Sequence, residues 1–177
     1  AYQFQAREHA LVSQISGLLN GRPEDLPEKI DGLLGKLKSQ DREIANLRAQ
    51  LLSGQAQQLV ANSGRIGNIR VVASSVGDVG AADPLRSLAT DIRAQLGQSE
   101  PTVVALIGTV SDKPLLVVAV NTVAREKGIK AGALVRLGAK ILGGGGGGKD
   151  DIAQGGGSDV TAAPAALAAI ESELGKI

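Results

Sequence analysis

The stretch Ile141-Leu142-Gly143-Gly144-Gly145-Gly146-Gly147-Gly148-Lys149-Asp150-Asp151-Ile152-Ala153-Gln154-Gly155-Gly156-Gly157 decides how this chain is to be read. Six consecutive glycines, a short charged and apolar bridge and three more glycines lie between two segments with helical patterning. Glycine lets the backbone take positive φ and approach a partner closely, at a cost in conformational entropy. A flexible linker has no use for Ile152, Ala153 and Gln154 held between two glycine runs. The stretch is therefore expected to be a shaped loop that presents backbone N–H groups to an anion or lies flat against a partner.

Two nucleotide motifs fit by spacing and fail by context. Gly143, Gly148 and Lys149 satisfy G-x-x-x-x-G-K, but the next residue is Asp150 where a phosphate loop needs Ser or Thr for magnesium. Gly143, Gly145 and Gly148 satisfy G-x-G-x-x-G, as any polyglycine run does. Both motifs follow a strand, whereas this run follows the helical pattern of 131–142.

Composition narrows the function classes. The 177 residues carry a net charge of +1 and suit one domain, or a small domain with an extension. The chain starts Ala1-Tyr2 and holds no Met, so it is read as a piece of a longer protein. Without cysteine there is no disulfide, thiolate catalysis or cysteine zinc site, and His9 alone cannot build a histidine metal site or a triad. No apolar run is long enough to span a bilayer and no signal peptide is visible, so a soluble, cytoplasmic protein is expected. Tyr2 and Phe4 are the only aromatic residues, which argues against modules that stack bases on aromatic platforms. Basic residues outnumber acidic ones over 63–142, while the tail from Gly143 is mildly acidic.

The pattern predicts an α/β (α+β) globular domain over 63–177, with a glycine-rich loop at 143–157, preceded by a helical, coiled-coil-like subdomain over 1–62. Phe4, Leu11, Ile15 and Leu18 share one face of a first helix, broken at Gly21-Arg22-Pro23. A second helix starts near Asp25 or Pro27. Its apolar residues Ile30, Leu33, Leu37, Ile44, Leu47 and Leu51 alternate spacings of three and four, with Gln40 in one slot: a heptad seam that must be buried. A hairpin with the first helix would cover part of it, and its far end would meet the globular domain or a second chain. The seam alone does not say which helix fills it.

Asn62-Ser63-Gly64 and Gly67-Asn68 mark a boundary. Ile69 to Val76 is rich in strand formers, and Asp83-Pro84 reads as an N-cap with proline opening a helix that stops at Gly97. The apolar runs 102–107 and 115–120, joined by Ser111-Asp112-Lys113-Pro114, predict a central hairpin. A helix over 131–142 turns Leu134, Leu137 and Ile141 inward and Arg136 and Lys140 outward, and a last helix buries Leu167, Ile170 and Leu174.

Within the glycine stretch Gly143, Gly144, Gly146, Gly147, Gly148, Lys149, Asp151, Ala153, Gln154, Gly156 and Gly157 match a pattern of glycine pairs around basic-x-Asp-x-Ala-Gln. This resembles the signature of the DHHA1 domain in its alanyl-tRNA synthetase form. It departs from that signature at Asp150, where proline is usual, and at Lys149, where arginine is common. The order of elements is similar to the family's C-terminal domain over nearly the whole chain. The resemblance implies a non-catalytic tRNA-binding module without a cofactor of its own. It would contact the tRNA elbow and help couple aminoacylation with editing in a parent alanine--tRNA ligase that depends on ATP and tRNA. Its helical part mediates dimerisation in some members, which would use Ile30, Leu33, Leu37, Ile44, Leu47 and Leu51.

The RNA-contacting residues would then be Gly143, Gly144, Gly146, Gly147, Gly148, Lys149, Asp151 and Gln154, with Arg136 and Lys140 supplying charge. Arg125, Lys127 and Lys130 would extend the patch. Arg136 and Lys140 equally suit the last turns of a helix by its dipole. Asp150 and Asp151 have no third ligand for a metal, and loop capping is the simpler role. Arg65, Arg70 and His9 read as surface residues. Two alternatives stay open. DHHA1 domains also close over substrate in DHH-type phosphoesterases and nucleases, but those carry a histidine after the glycine cluster, where this chain has Lys149. The other alternative is a piece whose main task is oligomerisation.

Overall fold

A computed structural model describes residues 2–177; the side chains of residues 2–5 and Ser53 lie outside the described part, and with them the expected placement of Phe4 on the first helix face. The chain divides into two compact units, 1–46 and 47–177. That division falls inside a helix, where the sequence pattern places it at the turn signals after residue 61.

The first unit holds α1 (Tyr2–Leu19) and the start of α2 (Leu26–Ala61), linked through a short 3-10 turn at Pro23–Asp25. Asn20 takes φ 46°, and the Lys29 Nζ donates to the carbonyls of Leu19 (3.1 Å) and Asn20 (2.7 Å), closing the end of α1. The expected hairpin packing does not form, because α1 does not lie along α2. Among the described residues of this unit, burial is confined to Leu26 at the connection. Leu11, Ile15 and Leu18 on α1 and Ile30, Leu33, Leu37 and Ile44 on α2 all face solvent. The heptad seam is thus a stripe without a helix on it, since its only candidate within the unit turns away.

The second unit is built on a six-stranded sheet in the order β1-β2-β3-β4-β6-β5. β1 (Gly64–Ile66) and β2 (Ile69–Asp78) form a hairpin whose turn uses Gly67 at φ 57°, so the glycines expected to mark a boundary open the sheet instead. β2 runs parallel to β3 (Thr102–Val110) through α3 (Ala82–Leu96), the one parallel pair. β3 and β4 (Lys113–Val120) pair antiparallel around Ser111 and Asp112, both at positive φ as a two-residue hairpin turn of mirror-image type requires. α3 does not use Asp83 as its cap. The helix begins two residues earlier than that cap implies, at Ala82 after Ala81, and Pro84 is tolerated because the N–H groups of a first turn have no helical partner. The helix ends at Gly97, φ 79°, as the sequence indicates.

Both faces of the central strands are buried, which explains their unbroken apolar runs. Val103, Ala105, Ile107, Leu116 and Val118 pack under α5 (Ala131–Ile141) and α6 (Ala163–Leu174). Val104, Leu106, Val117 and Ala119 pack under α3 and under Leu52 and Ala56 from the end of α2. That helix therefore turns Leu52 and Ala56 to the sheet, while Leu47 and Leu51 of the seam stay exposed. On α5 the buried side is Leu134, Val135, Gly138 and Ala139, with Leu137 and Ile141 only half-buried; on α6 Leu167 is half-buried beside buried Ile170 and Leu174. Buried Asn121 ties the strand ends together. Its Oδ1 accepts from the Thr102 and Ala124 N–H groups (3.0 and 2.9 Å), and its Nδ2 donates to the Gly97 and Glu100 carbonyls (3.1 and 2.8 Å). It also caps the short helix α4 (Thr122–Glu126).

The glycine stretch corrects the expectation of a loop. β5 (Gly145–Gly148) and β6 (Ile152–Gly156) are antiparallel strands, and β6 extends the sheet from β4. The run starts as a helix stop. Gly143 takes φ 76°, its N–H donates to the Lys140 carbonyl (3.2 Å), and the Gly144 N–H reaches the Ala139 carbonyl (2.9 Å), a Schellman arrangement. The hairpin then lies against α5 so closely that side chains have no room. A Cβ on Gly155 would stand 2.8 Å from Val135 Cγ1 and 3.0 Å from Ala139 Cβ. One on Gly146 would meet Val135 at 2.7 Å and the Gly155 backbone, and one on Gly144 would strike the Gly156 carbonyl. Gly145 and Gly147 differ: a Cβ there meets nothing within 4 Å, and neither has positive φ. Gly144→Ala and Gly146→Ala should each destabilise the domain by about 1–3 kcal/mol through overpacking. Gly145→Ala should leave thermal unfolding unchanged or raise its midpoint slightly, through the smaller entropy of the unfolded chain. Equal losses at all three positions in calorimetry would refute the one-sided packing.

Candidate nucleic-acid interface

The side of the hairpin away from α5 is open. The odd-numbered glycines, exposed Gly145 and half-buried Gly147, lie on it, and the register places half-buried Gly156 opposite Gly145 and exposed Gln154 opposite Gly147. On this side of the sheet α3 covers β3 and β4 and stops short of the hairpin. The result is a flat strip of peptide backbone with one exposed side chain of size, Gln154, beside half-buried Ile152 on the same face of β6. Such a strip lets a planar or rigid surface approach to backbone distance.

Depressions lie at both ends of the strip. One, of about 240 Å³, is lined by Arg86 from α3, Val117, Gly147, Gly148, Lys149, Ile152, Ala153 and Gln154. The other, of about 440 Å³, brings Lys113 and Pro114 of the central hairpin beside Gly143, Gly144, Gly156, Gly157 and Ser158. Sequence reasoning missed Arg86 and Lys113. Arg86 is an exposed basic residue on an amphipathic helix, and only the sheet order shows that α3 borders the glycine strands.

The turn of the hairpin is fixed by its neighbours. The Lys149 N–H donates to the Ile152 carbonyl (3.0 Å). Arg93 of α3 donates from Nη1 to the carbonyls of Asp151 (3.0 Å) and Val120 (3.3 Å), and its guanidinium stands 3.9 Å from the Asp151 carboxylate. Asp151 therefore has a positioning role within the fold. Asp150 pairs with Lys130 at 3.3 Å, and its carbonyl accepts from the Ala131 N–H (3.0 Å) at the start of α5. Both turn acids are thus engaged. Among the described residues Arg86, Lys113 and Lys149 make no ion pair, in contrast to Arg65 and Arg70, which both bind Glu100 at 2.6 Å.

The expected RNA-contacting residues fall into three groups. Gly147, Gly148, Lys149 and Gln154 meet around one cavity. Gly143 and Gly144 belong to the other end, with Gly146 turned toward α5. Arg136 and Lys140 are exposed on α5, and the Arg136 guanidinium lies near Gly132, as do the turn carbonyls of Gly148 and Lys149. Past the second strand, the Asp159 carboxylate caps the 3-10 turn before α6. The Thr161 hydroxyl first, then the N–H groups of Thr161 and Ala162, hold its pKa below the ordinary value against an opposing desolvation effect. Among the described residues no three His, Cys, Asp or Glu side chains gather as around a metal ion. No described helix is long and apolar enough to cross a membrane.

Comparison with known proteins places this geometry. The DHHA1 domain model matches residues 68–176. The alanine--tRNA ligase of Bifidobacterium longum is 50% identical over 178 residues, covering 99% of this chain and 20% of that protein. That of Streptomyces avermitilis is 50% identical over 143 residues, covering 81% of this chain and 16% of that protein. The chain thus spans a fifth or less of the length of these curated relatives. The crystal structure of the C-Ala domain from Aquifex aeolicus alanyl-tRNA synthetase superposes with a TM-score of 0.58 at 27% identity, over 64% of this chain and 98% of that one. The glycine hairpin, the sheet that carries it and the match along 68–176 together show that the chain belongs to the DHHA1 domain family.

Proposed function

We propose that this chain is the tRNA-binding C-terminal domain of a cytoplasmic alanine--tRNA ligase. In this reading it has no catalytic site or cofactor of its own, contacts the tRNA elbow, and helps couple aminoacylation with editing. The observation that carries the proposal is the pair Gly145 and Gly147. The fold has room for side chains at both and asks for positive φ at neither, so glycine there serves a surface outside the chain. An exposed base pair at the corner of a folded RNA is such a surface, broad and flat. Lys113, Lys149 and Arg86 border the strip without ion-pair partners among the described residues, which suits phosphates on either side.

Titration with intact alanine tRNA and with a minihelix lacking the D and T loops tests the elbow. Intact tRNA should bind at least tenfold more tightly, and its affinity should fall steeply as salt rises from 50 to 200 mM, in the manner of about three or more phosphate contacts. Equal binding of the two RNAs would sink the elbow assignment. Gly145→Val and Gly147→Val should weaken tRNA binding about tenfold or more, near 1.4 kcal/mol, with thermal unfolding preserved. Unchanged affinity would make the open strip a purely structural feature.

A second reading rests on the exposed seam. We infer that Ile30, Leu33, Leu37, Ile44, Leu47 and Leu51 are a dimerisation stripe, because Leu37 at 56% and Leu51 at 69% exposure are unusual for a heptad repeat that keeps its spacing. Light scattering of the full chain over a range of concentrations should show a dimer that Leu37→Glu with Leu47→Glu converts to monomer. A monomer at the highest concentration reached would end this reading.

A further inference from the structure

The cavity between α3 and the hairpin has chemistry that a flat RNA surface does not need. Its volume of about 240 Å³ equals the liquid share of about eight waters, the scale of a single planar ring system. Half-buried Ile152 gives it an apolar floor backed by fully buried Val117, and the Gly147–Gly148 backbone forms a wall without side chains. Gln154 adds an amide that both donates and accepts at the mouth. Arg86 and Lys149 bring two positive charges from different elements. The two acids of the adjoining turn are held by Lys130 and Arg93, so they do not neutralise this pair.

A half-open cavity with apolar and peptide surfaces, one hydrogen-bonding amide and two cations that make no ion pair among the described residues suits one ligand class well. That class is a heterocyclic base carrying a phosphate. Unstacked bases are the usual targets of sequence-dependent RNA contacts, and they enter a pocket at low energetic cost where they are already outside a helix. Arginine offers a planar cation that stacks on a base in a site without aromatic residues.

We propose that this cavity is a nucleotide pocket that takes one unstacked base of the bound RNA. Gln154 reads the base edge, the Arg86 guanidinium lies over the exposed base face, and Lys149 holds the adjoining phosphate. The proposal rests on the RNA-binding reading and goes beyond it by adding a base-reading site beside the flat strip.

The test uses the full chain labelled with ¹⁵N, titrated with the four nucleoside 5′-monophosphates and, as an anion without a base, ribose 5-phosphate. At least one monophosphate should shift the amides of Gly147, Gly148, Ala153 and Gln154 saturably at millimolar concentration, while ribose 5-phosphate leaves them in place. Arg86→Ala and Gln154→Ala should each weaken that nucleotide at least fivefold, with the rest of the amide spectrum unchanged. Arg86→Lys should recover less than half of the loss, since an ammonium does not stack as a guanidinium does. Equal shifts with ribose 5-phosphate would reduce the cavity to an anion site and overturn the proposal, as would the absence of shifts with all four nucleotides. The two readings separate at Gly145, which does not line this cavity. If nucleotides fail to bind while Gly145→Val still weakens tRNA, the pocket falls and the flat strip stands. If nucleotides bind as described while Gly145→Val leaves tRNA affinity intact, the pocket stands and the strip falls.

Discussion

The contact between α5 and the β5–β6 hairpin constrains everything else at this surface. Val135 and Ala139 press against Gly146 and Gly155 at distances that exclude even a methyl group. Strands of glycine are poor strands: they lose more conformational entropy on folding than other residues and add no side chain to pack. The hairpin persists because its neighbours fix it from outside. A Schellman stop at Gly143 delivers the chain to β5, Arg93 clamps the turn through the Asp151 carbonyl, and β4 supplies the ladder for β6. Packing on one side only is what leaves the other side bare. α5 occupies one face at backbone distance, and α3 ends its cover at β4, so the opposite face stays as exposed peptide.

Charge placement follows from the same arrangement. The turn of the hairpin holds Lys149, Asp150 and Asp151 in succession, which from composition alone is net acidic. In the fold each acid meets a cation from a different helix border, Lys130 before α5 and Arg93 within α3. Exposed pairs of this kind contribute little to stability. Their effect here is on the field, because they leave Lys149 and Arg86 beside the open strip with no ion-pair partner among the described residues. A site that looks anion-unfriendly in sequence thereby becomes mildly cationic.

Much of the fold was legible because its signals are local. The buried central hairpin announces itself as two apolar runs around a polar turn, and Gly97 and Gly21-Arg22-Pro23 stop helices for ordinary steric reasons. The glycine motif identified the family. It hid its own conformation, since strand assignment reads the alternation of side chains and polyglycine has none. The alternation is nevertheless there in space, between glycines that cannot be replaced and glycines that can, and only the packing against α5 separates Gly146 from Gly147. Asp83-Pro84 misled because a cap and a first-turn acid look alike in sequence; the helix starts two residues earlier, at Ala82. Arg86 had no signal at all, because its role depends on α3 bordering strands that lie some sixty residues further along the chain (roughly, by the register of a non-local sheet).

The two units differ in what holds them. Residues 47–177 bury a core on both faces of a sheet, whereas the described side chains of 1–46 bury little beyond Leu26. α2, about 54 Å long at 1.5 Å per residue, is anchored through Leu52 and Ala56 at one end only. Along most of the rest of its length helix propensity must suffice, and it is marginal in water without a buried face. Each leucine of the seam would add about 1.5–3 kcal/mol if fully covered. The regular three-four spacing over Ile30, Leu33 and Leu37 and over Ile44, Leu47 and Leu51 therefore has a physical cost in the free chain and a return only in contact with another helix. The glycine strip has the same logic on a smaller scale: a surface shaped by what the chain alone does not need.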